Sequence, residues 1–470
     1  MSEVWQQSAS ALAARIAARE TTSAEVIEAH LARIDAVNPA LNAIVRVLAD
    51  EARAGAAAAD AKQASGAALG PLHGVPFTVK ENIDMAGLPT TWGVPALAGA
   101  VVPADAPIVE RMRSAGAIPI GRTNLPDMGL RVHTDSSLHG LTRNPWHQGR
   151  TAGGSSGGEG SAIASGMSPI GLGNDIGGSL RNPANACGIA SIKPTQGRVP
   201  DAGYVPSENR LMAFQAMLAH GPMARSVADV RLGLQILNGA HPRDPWSVDM
   251  PFAGKPIDGA IKVAVVPEPP GGSTNPIIAA TVRAAADALA NAGYDVTEAC
   301  PPDYEAAIEC WSRFLLGDMS CMLPQLSAMM GPDAMAFLTA ANAATEPVKD
   351  TAEMSQLYAQ RDGIARAWSL FHAGYPLVLT PTWTQLPFEH GFDAATPEGA
   401  AATTEMFRPV TPANLLGLPS ACVPAGRDGA SGMPIGVLVG GARFRDDLCL
   451  DAAEVIERGA GVVTPITPRW

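Results

Sequence analysis

Two glycine-flanked serine clusters carry the residue types of a nucleophilic active site. The first is Gly-Gly-Ser-Ser-Gly-Gly at 153–158, and the second is Gly177-Gly178-Ser179. Glycine on both sides lets the backbone bend sharply and leaves amide N–H groups free to bind an oxyanion. No Ser-His-Asp order follows, so the candidate base is Lys80, at the end of Gly-Val-Pro-Phe-Thr-Val-Lys at 74–80. These residue types indicate acyl transfer to a serine.

Lys80 ends a short apolar stretch that we expect to be a buried strand. Full burial lowers the pKa of a lysine by roughly 3 to 5 units, and a neutral amine, unlike an ammonium, can accept a proton. Taken alone, Lys80 also fits an ordinary surface lysine, and Ser179 also fits the N-cap of a helix. The order in which their motifs occur favours a catalytic role for Lys80, Ser155 and Ser179.

That order, GVPF-x-x-K, then GGSSGG, then D-x-GGS-x-R, resembles the amidase signature family of Ser-Ser-Lys hydrolases. The resemblance runs over nearly the whole chain, although 240–400 matches only in general layout. It implies that Ser179 is the nucleophile, that Lys80 is the base, and that Ser155 bridges them after a cis Gly154–Ser155 bond. It also implies an oxyanion hole made by the amides of Ile176, Gly177, Gly178 and Ser179.

The resemblance further implies an amide hydrolase that needs no cofactor and acts on aryl or aliphatic amides, with carbamates within reach. Gly129 and Met128 match a segment near the scissile group and are weak candidates for substrate contacts. Asn174 departs from the threonine of many family members. Asp175 and Arg181 flank the nucleophile, and we expect them to form a structural ion pair that holds the turn.

The alternation of strand and helix patterns predicts an α/β fold, with a mixed central β-sheet wrapped by helices. We expect a single domain over 1–470, in which 240–400 is a variable region that shapes the substrate site. Three local predictions are a helix ending at Asn38-Pro39, one helical stretch over 303–330, and a closing strand at 417–420.

Composition excludes several classes of protein. Hydrophobic residues make up 47% of the 470 residues and charged residues 17%, which provides for a large core. The net charge of −12, without a basic run, argues against a nucleic-acid partner. No apolar stretch suits a membrane span or signal peptide, and no histidine pair suits a metal. Six cysteines without a CxxC pair favour buried, reduced thiols in a cytoplasmic protein. The sequence is compatible with a homodimer, and it leaves the oligomeric state open.

Two alternatives compete with a stand-alone amidase. A glutamine-dependent amidotransferase A subunit, acting with tRNA-modifying partners, would need polar groups to hold glutamine. The aromatic and methionine residues of 304–337 disfavour it, if they line the pocket rather than form only core. A phosphate cradle at 153–158 would place the chain among nucleotide-binding proteins, but no Gly-Lys-Ser/Thr follows.

Overall fold

The chain folds around one large mixed sheet. A computed structural model describes residues 3–468 and 470. Its strands are β1 (Ile44–Val47), β2 (Pro76–Lys80), β3 (Ile118–Thr123), β4 (Asp135–Ser136), β5 (Gly140–Leu141), β6 (Ile170–Asp175), β7 (Ala190–Lys193), β8 (Ala219–Ala224), β9 (Lys262–Val265), β10 (Asp295–Glu298), β11 (Leu377–Pro381), β12 (Ser420–Arg427) and β13 (Pro434–Gly441).

Eleven of these strands form the sheet, in the order β1-β3-β2-β6-β8-β7-β12-β13-β11-β9-β10, and β4 pairs with β5. Strand β2 runs parallel to β3 and β6, whereas β6 and β8 are antiparallel. The predicted mixed α/β sheet is therefore confirmed. The single-domain organisation stays a prediction, although this one sheet takes strands from both the N-terminal and C-terminal parts of the chain.

The helices surround the sheet on both faces. Their bounds are α1 (Ala9–Ala17), α2 (Ser23–Leu41), α3 (Ala49–Ala64), α4 (Pro107–Ser114), α5 (Gly157–Ala164), α6 (Arg181–Cys187), α7 (Met212–Met217), α8 (Val227–Leu237), α9 (Pro276–Asn291), α10 (Tyr304–Met319), α11 (Leu323–Met329), α12 (Pro332–Ala344), α13 (Thr351–Gly374), α14 (Phe392–Ala395), α15 (Pro397–Phe407), α16 (Thr411–Leu415) and α17 (Asp446–Gly459).

Alternate residues of β13 enter two separate hydrophobic cores, as the period of a strand requires. Val437 and Val439 join the core formed with α8, α9 and α17, whereas Leu438 joins the core formed with α5, α6 and α10. The second core lies beside both serine clusters. The second core therefore supports the candidate site.

Helix α2 begins with a reciprocal side-chain cap, and its end corrects a prediction. The Thr22 hydroxyl accepts from the Glu25 amide at 3.1 Å, and the Glu25 carboxylate accepts from the Thr22 amide at 2.9 Å, which together form a capping box. The predicted end of α2 at Asn38-Pro39 is wrong, because the helix continues to Leu41. Pro39 lies in the last turn, and Asn42, at φ 50°, closes it by donating to the Asn38 carbonyl at 2.7 Å.

Two other local predictions are also corrected. The single stretch over 303–330 is divided into α10 and α11 by a short 3-10 turn, and Pro324 lies at the start of α11. The strand expected at 417–420 begins only at Ser420, as β12. All six cysteines are free thiols, as expected, but Cys300 and Cys321 are exposed rather than buried.

Candidate active site

Adjacent parallel strands bring the candidate base to the serine clusters. Lys80 is the last residue of β2, and β2 pairs with β6 so that Val79 lies opposite Leu172. The carboxyl ends of parallel neighbours meet at the same edge of a sheet, so Lys80 lies beside the end of β6. The Nζ atom of Lys80 lies 2.6 Å from the Oγ atom of Ser155. The structure thus joins two residues that the sequence predicts to act together.

Lys80 is fully buried, and this burial sets its protonation. Desolvation lowers the pKa of Lys80 to about 7, although the carboxylates of Asp175 and Glu159 oppose the shift. A substantial fraction of the amine is therefore neutral at pH 7. The predicted role of a base in this position needs that form.

Asn174 is the second polar partner of the lysine. The Nζ atom of Lys80 donates to Oδ1 of Asn174 at 2.8 Å. Asn82 holds the amide in place, since the Asn174 amide donates to Oδ1 of Asn82 at 3.1 Å. The departure from threonine therefore preserves an acceptor for the lysine. Sequence reasoning noticed the substitution at 174 but not this contact, and missed Asn82, although it stands two residues after Lys80.

Glu159 is a buried carboxyl group below the lysine, which the sequence reasoning did not single out. It accepts hydrogen bonds from the hydroxyls of Thr78 at 2.6 Å and Thr123 at 3.0 Å. Burial raises the pKa of Glu159 to about 8, which favours its protonated form. Only the ionised form of Glu159 carries the negative charge that opposes the lowering of the Lys80 pKa.

Ser179 lies in the turn between β6 and α6, and the Gly154–Ser155 bond before the bridging serine is cis, as the resemblance implied. Ser179 is 8% exposed and faces a cavity. Its carbonyl accepts from the Ser156 amide at 3.2 Å, which places the two serine clusters side by side. Within residues 3–468, the Ser179 hydroxyl makes no hydrogen bond. The Lys80–Ser155 contact is thus formed, whereas the Ser155–Ser179 contact is not.

The carboxylate of Asp175 organises the turn. It accepts from the amides of Gly178 at 2.7 Å and Leu180 at 3.2 Å, and from two nitrogens of Arg181, both at 2.9 Å. Asn414 donates to the same carboxylate at 2.9 Å. Burial opposes ionisation of Asp175, but the guanidinium of Arg181 and the side chain of Asn414 hold its pKa well below its usual range. The expected structural role of the Asp175–Arg181 pair is confirmed.

The turn leaves three of the four predicted oxyanion donors free. Because the Gly178 amide already donates to Asp175, the structure does not support its predicted role as an oxyanion donor. In the described part of the chain, the amides of Ile176, Gly177 and Ser179 have no protein acceptor. Gly178 has φ +98°, which favours glycine. Its place in the turn is therefore to let the chain bend back over Asp175.

The cavity beside Ser179 is mainly apolar. Its larger apolar residues are Leu130, Val132, Trp311, Leu315, Leu316, Met319, Phe337, Leu338 and Phe407. Among its lining residues, the one charged side chain is Arg131, which forms a buried ion pair with Asp393 at 2.6 Å. The cavity thus offers no unpaired charge to a substrate.

The other predicted contacts divide between cavity and core. Gly129 lines the cavity of Ser179, whereas Met128 lines a neighbouring one and is a poorer candidate for substrate contact than expected. From the 304–337 stretch, Trp311, Met319 and Phe337 line the cavity of Ser179. The same stretch also contributes core residues such as Tyr304 and Phe314, which are buried outside the cavity lining. Both interpretations of the stretch therefore hold for part of it.

Neither a metal site nor a membrane span is found in the described residues. No group of three or more His, Cys, Asp or Glu side chains in 3–468 could hold a metal ion. Over the same residues, each helix is too short or too polar to cross a bilayer.

Comparison with known proteins places the chain in a family. The family model for amidases matches residues 25–450. The indoleacetamide hydrolase of Bradyrhizobium diazoefficiens is 45% identical over 466 residues, which cover 98% of this chain and 88% of that protein. The A subunit of the glutamyl-tRNA(Gln) amidotransferase of Synechococcus sp. strain RCC307 is 33% identical over 473 residues, covering 94% of this chain and 95% of that protein.

Among solved structures, 6-aminohexanoate cyclic dimer hydrolase with bound substrate superposes with a TM-score of 0.85 and 28% identity, covering 100% of this chain and 99% of that one. The fold and these relatives define a hydrolase that acts on carbon–nitrogen bonds. The chain belongs to the amidase signature family.

Proposed function

We propose that this chain hydrolyses uncharged carboxamides whose acyl part is apolar or aromatic, through an acyl-enzyme on Ser179. The observation that carries the proposal is the buried contact of 2.6 Å between Lys80 and Ser155, beside a serine that faces an apolar cavity. A lysine whose pKa is about 7 supplies a base at neutral pH.

In the proposed steps, a proton passes from Ser179 through Ser155 to Lys80 and then returns along the same path. Neutral Lys80 takes the proton of Ser155, which takes the proton of Ser179 as its oxygen attacks the amide carbonyl. The amides of Ile176, Gly177 and Ser179 are available to bind the oxyanion. On collapse the C–N bond breaks, and the proton returns through Ser155 to the leaving amine. Water then attacks the ester by the same path and releases the acid and Ser179.

The apolar cavity supports an arylacetamide as the substrate class. Trp311, Met319 and Phe337 offer aromatic and thioether surfaces to an aromatic acyl group. A relative at 45% identity is named for the hydrolysis of indoleacetamide, an uncharged primary amide with an aromatic acyl part. Carbamate hydrolysis stays a prediction. It would use the same nucleophile, Ser179. A homodimer also stays a prediction.

An amidotransferase A subunit is the second candidate, and relatives of that name align over most of the chain. Glutamine carries an ammonium and a carboxylate on its Cα, and burying either without a partner is costly. The one charged residue that lines the cavity is Arg131, which is already paired with Asp393. This pairing favours a hydrolase of uncharged amides over a glutaminase.

The proposal is tested by measuring ammonia release from a panel of primary amides. Indoleacetamide, phenylacetamide, acetamide and glutamine would be compared by kcat/KM, with Ser179→Ala as the blank. We expect the two arylacetamides to be best and glutamine to be worst. Glutamine as the preferred substrate would replace this proposal with the amidotransferase one.

A further inference from the structure

Trp311 joins the variable region to the oxyanion turn. It lies on α10, within the 240–400 region that matches the family only in layout. Its indole Nε1 donates to the carbonyl of Ile176 at 2.9 Å. The indole ring also packs against Gly177 so closely that a Cβ atom at Gly177 would overlap with Cζ2 of the ring. Trp311 is 8% exposed, so this hydrogen bond is shielded from water.

This hydrogen bond fixes the direction of an amide that is a candidate oxyanion donor. The carbonyl of Ile176 and the N–H of Gly177 belong to one peptide group, and that peptide is trans. In a trans peptide group the C=O and N–H bonds are coplanar and point in opposite directions. A donor that holds the carbonyl therefore also fixes the direction of the Gly177 N–H. That N–H is one of the three free donors at Ser179.

The neighbouring carbonyls of the turn are held from within the same segment. The Gly177 carbonyl accepts from the Asn182 side chain at 3.3 Å, and the Gly178 carbonyl accepts from the Asn182 amide at 2.6 Å. Trp311 differs because it comes from a helix far away in the sequence, and like Asn182 it lines the cavity. One side chain thus contacts both the substrate cavity and the peptide that supplies an oxyanion donor.

We propose that Trp311 is a positioning residue whose indole N–H orients the Ile176–Gly177 peptide for oxyanion binding, in addition to its ring forming part of the acyl cavity. This inference rests on the proposed acyl-enzyme function. It separates two properties of one residue, because the ring contributes to substrate binding in the ground state and the N–H contributes through the transition state.

The test compares two substitutions of equal reach. Gln and Met side chains both extend to the position of the indole nitrogen, three bonds from Cβ, but only Gln carries an N–H there. We expect kcat for phenylacetamide to fall by about 10-fold in Trp311→Met, less than the loss from deleting an oxyanion donor outright. Trp311→Gln should retain several-fold more kcat than Trp311→Met, with a similar KM. Affinity for a trifluoromethyl ketone analogue of phenylacetamide should fall in parallel with kcat/KM.

Trp368→Phe is the matched control. The indole of Trp368 donates to the Pro302 carbonyl at 2.8 Å and is 5% exposed, but it lies outside the cavity lining. Its loss should lower the thermal midpoint without changing kcat or ketone affinity. Trp311→Phe, which keeps a ring but no N–H, should lower both kcat and the affinity for the ketone.

Two results would overturn the inference. One is equal kcat in Trp311→Gln and Trp311→Met, and the other is a change confined to KM in all Trp311 variants. If the wild-type protein hydrolysed no amide and formed no adduct at Ser179, the proposed function would fail and this inference with it. If the wild type is an amidase but kcat does not depend on an N–H donor at position 311, only the inference is refuted and the proposed function stands.

Discussion

The Nζ atom of Lys80 and the Oγ atom of Ser155 lie 2.6 Å apart, although 75 positions separate them in the chain. The contact exists because β2 ends at Lys80 beside the end of β6, while the turn before α5 presents Ser155. Burial lowers the pKa of Lys80, and its amine contacts the hydroxyl of Ser155. We therefore expect activity to depend on the protonation of this pair.

Lys80→Ala should remove the rise of kcat/KM with pH. In the wild type, the rate should rise as pH increases through about 7, where the buried lysine loses its proton. The variant should retain little activity and a flat profile between pH 6 and 9. The profile of kcat/KM for phenylacetamide checks this. An unchanged ascending limb in the variant would assign the proton transfer to another group.

Asn174→Asp should move that ascending limb to higher pH. A carboxylate in place of the amide oxygen, which lies 2.8 Å from Nζ, would stabilise the ammonium form of Lys80. An opposite charge at this range shifts a pKa by about 1 to 3 units. Activity should therefore fall at pH 7 and recover near pH 9. The neutral variant Asn174→Thr serves as the control and should show no upward shift. If the ascending limb of the kcat/KM profile stayed at the same pH in Asn174→Asp, Lys80 would not be the titrating group.

Lys80→Met should stabilise the protein at neutral pH while abolishing activity. The folded-state pKa of Lys80 is lowered to about 7 from an ordinary value of 10.5, so the group opposes folding as pH falls from 10.5 to 7. Each unit of difference corresponds to about 1.4 kcal/mol, which makes the gain on the order of a few kcal/mol at pH 7. Thermal unfolding at pH 7 and pH 10 checks the sign. A stability gain of Lys80→Met over the wild type that was larger at pH 10 than at pH 7 would contradict this prediction.

The candidate catalytic segments could be identified in the sequence because their motifs are short and occur in a fixed order. Lys80, Ser155 and Ser179 each stand in a local motif whose glycine and apolar neighbours indicate a turn or a strand end. The end of α2 was mispredicted because Pro39 is tolerated in a last turn that Asn42 closes. Proline removes one donor, and a left-handed residue nearby can satisfy the remaining carbonyls.

The cavity residues could not be predicted in the same way. Trp311 and Phe314 lie three positions apart on α10, yet one lines the cavity and the other packs against Tyr358 at a ring distance of 5.0 Å. Both are large and apolar, so their spacing predicts a buried helix face without saying which neighbour each will meet. The engagement of the Gly178 amide by Asp175 likewise depends on the path of the turn in three dimensions.

Enlarging the cavity should change the preferred acyl group. Phe337 lines the cavity, so Phe337→Ala should lower kcat/KM for phenylacetamide and move the optimum to larger acyl groups. Each methylene that gains burial is worth about 0.8 kcal/mol, or about fourfold in kcat/KM. A series of aryl and aliphatic primary amides measures the shift. Phe371→Ala is the control, since Phe371 stacks on Tyr375 in a different cluster. Equal profiles in both variants would place the acyl group elsewhere.

The most direct test of the account is covalent capture of the nucleophile. Wild-type protein, Ser179→Ala and Ser155→Ala would each be treated with a fluorophosphonate at pH 8, and intact mass and peptide mapping would be recorded over time. We predict one adduct on Ser179 in the wild type, none in Ser179→Ala, and slow labelling of Ser179 in Ser155→Ala because the path to Lys80 is interrupted. A wild-type adduct on another serine, together with full amidase activity in Ser179→Ala, would contradict the account.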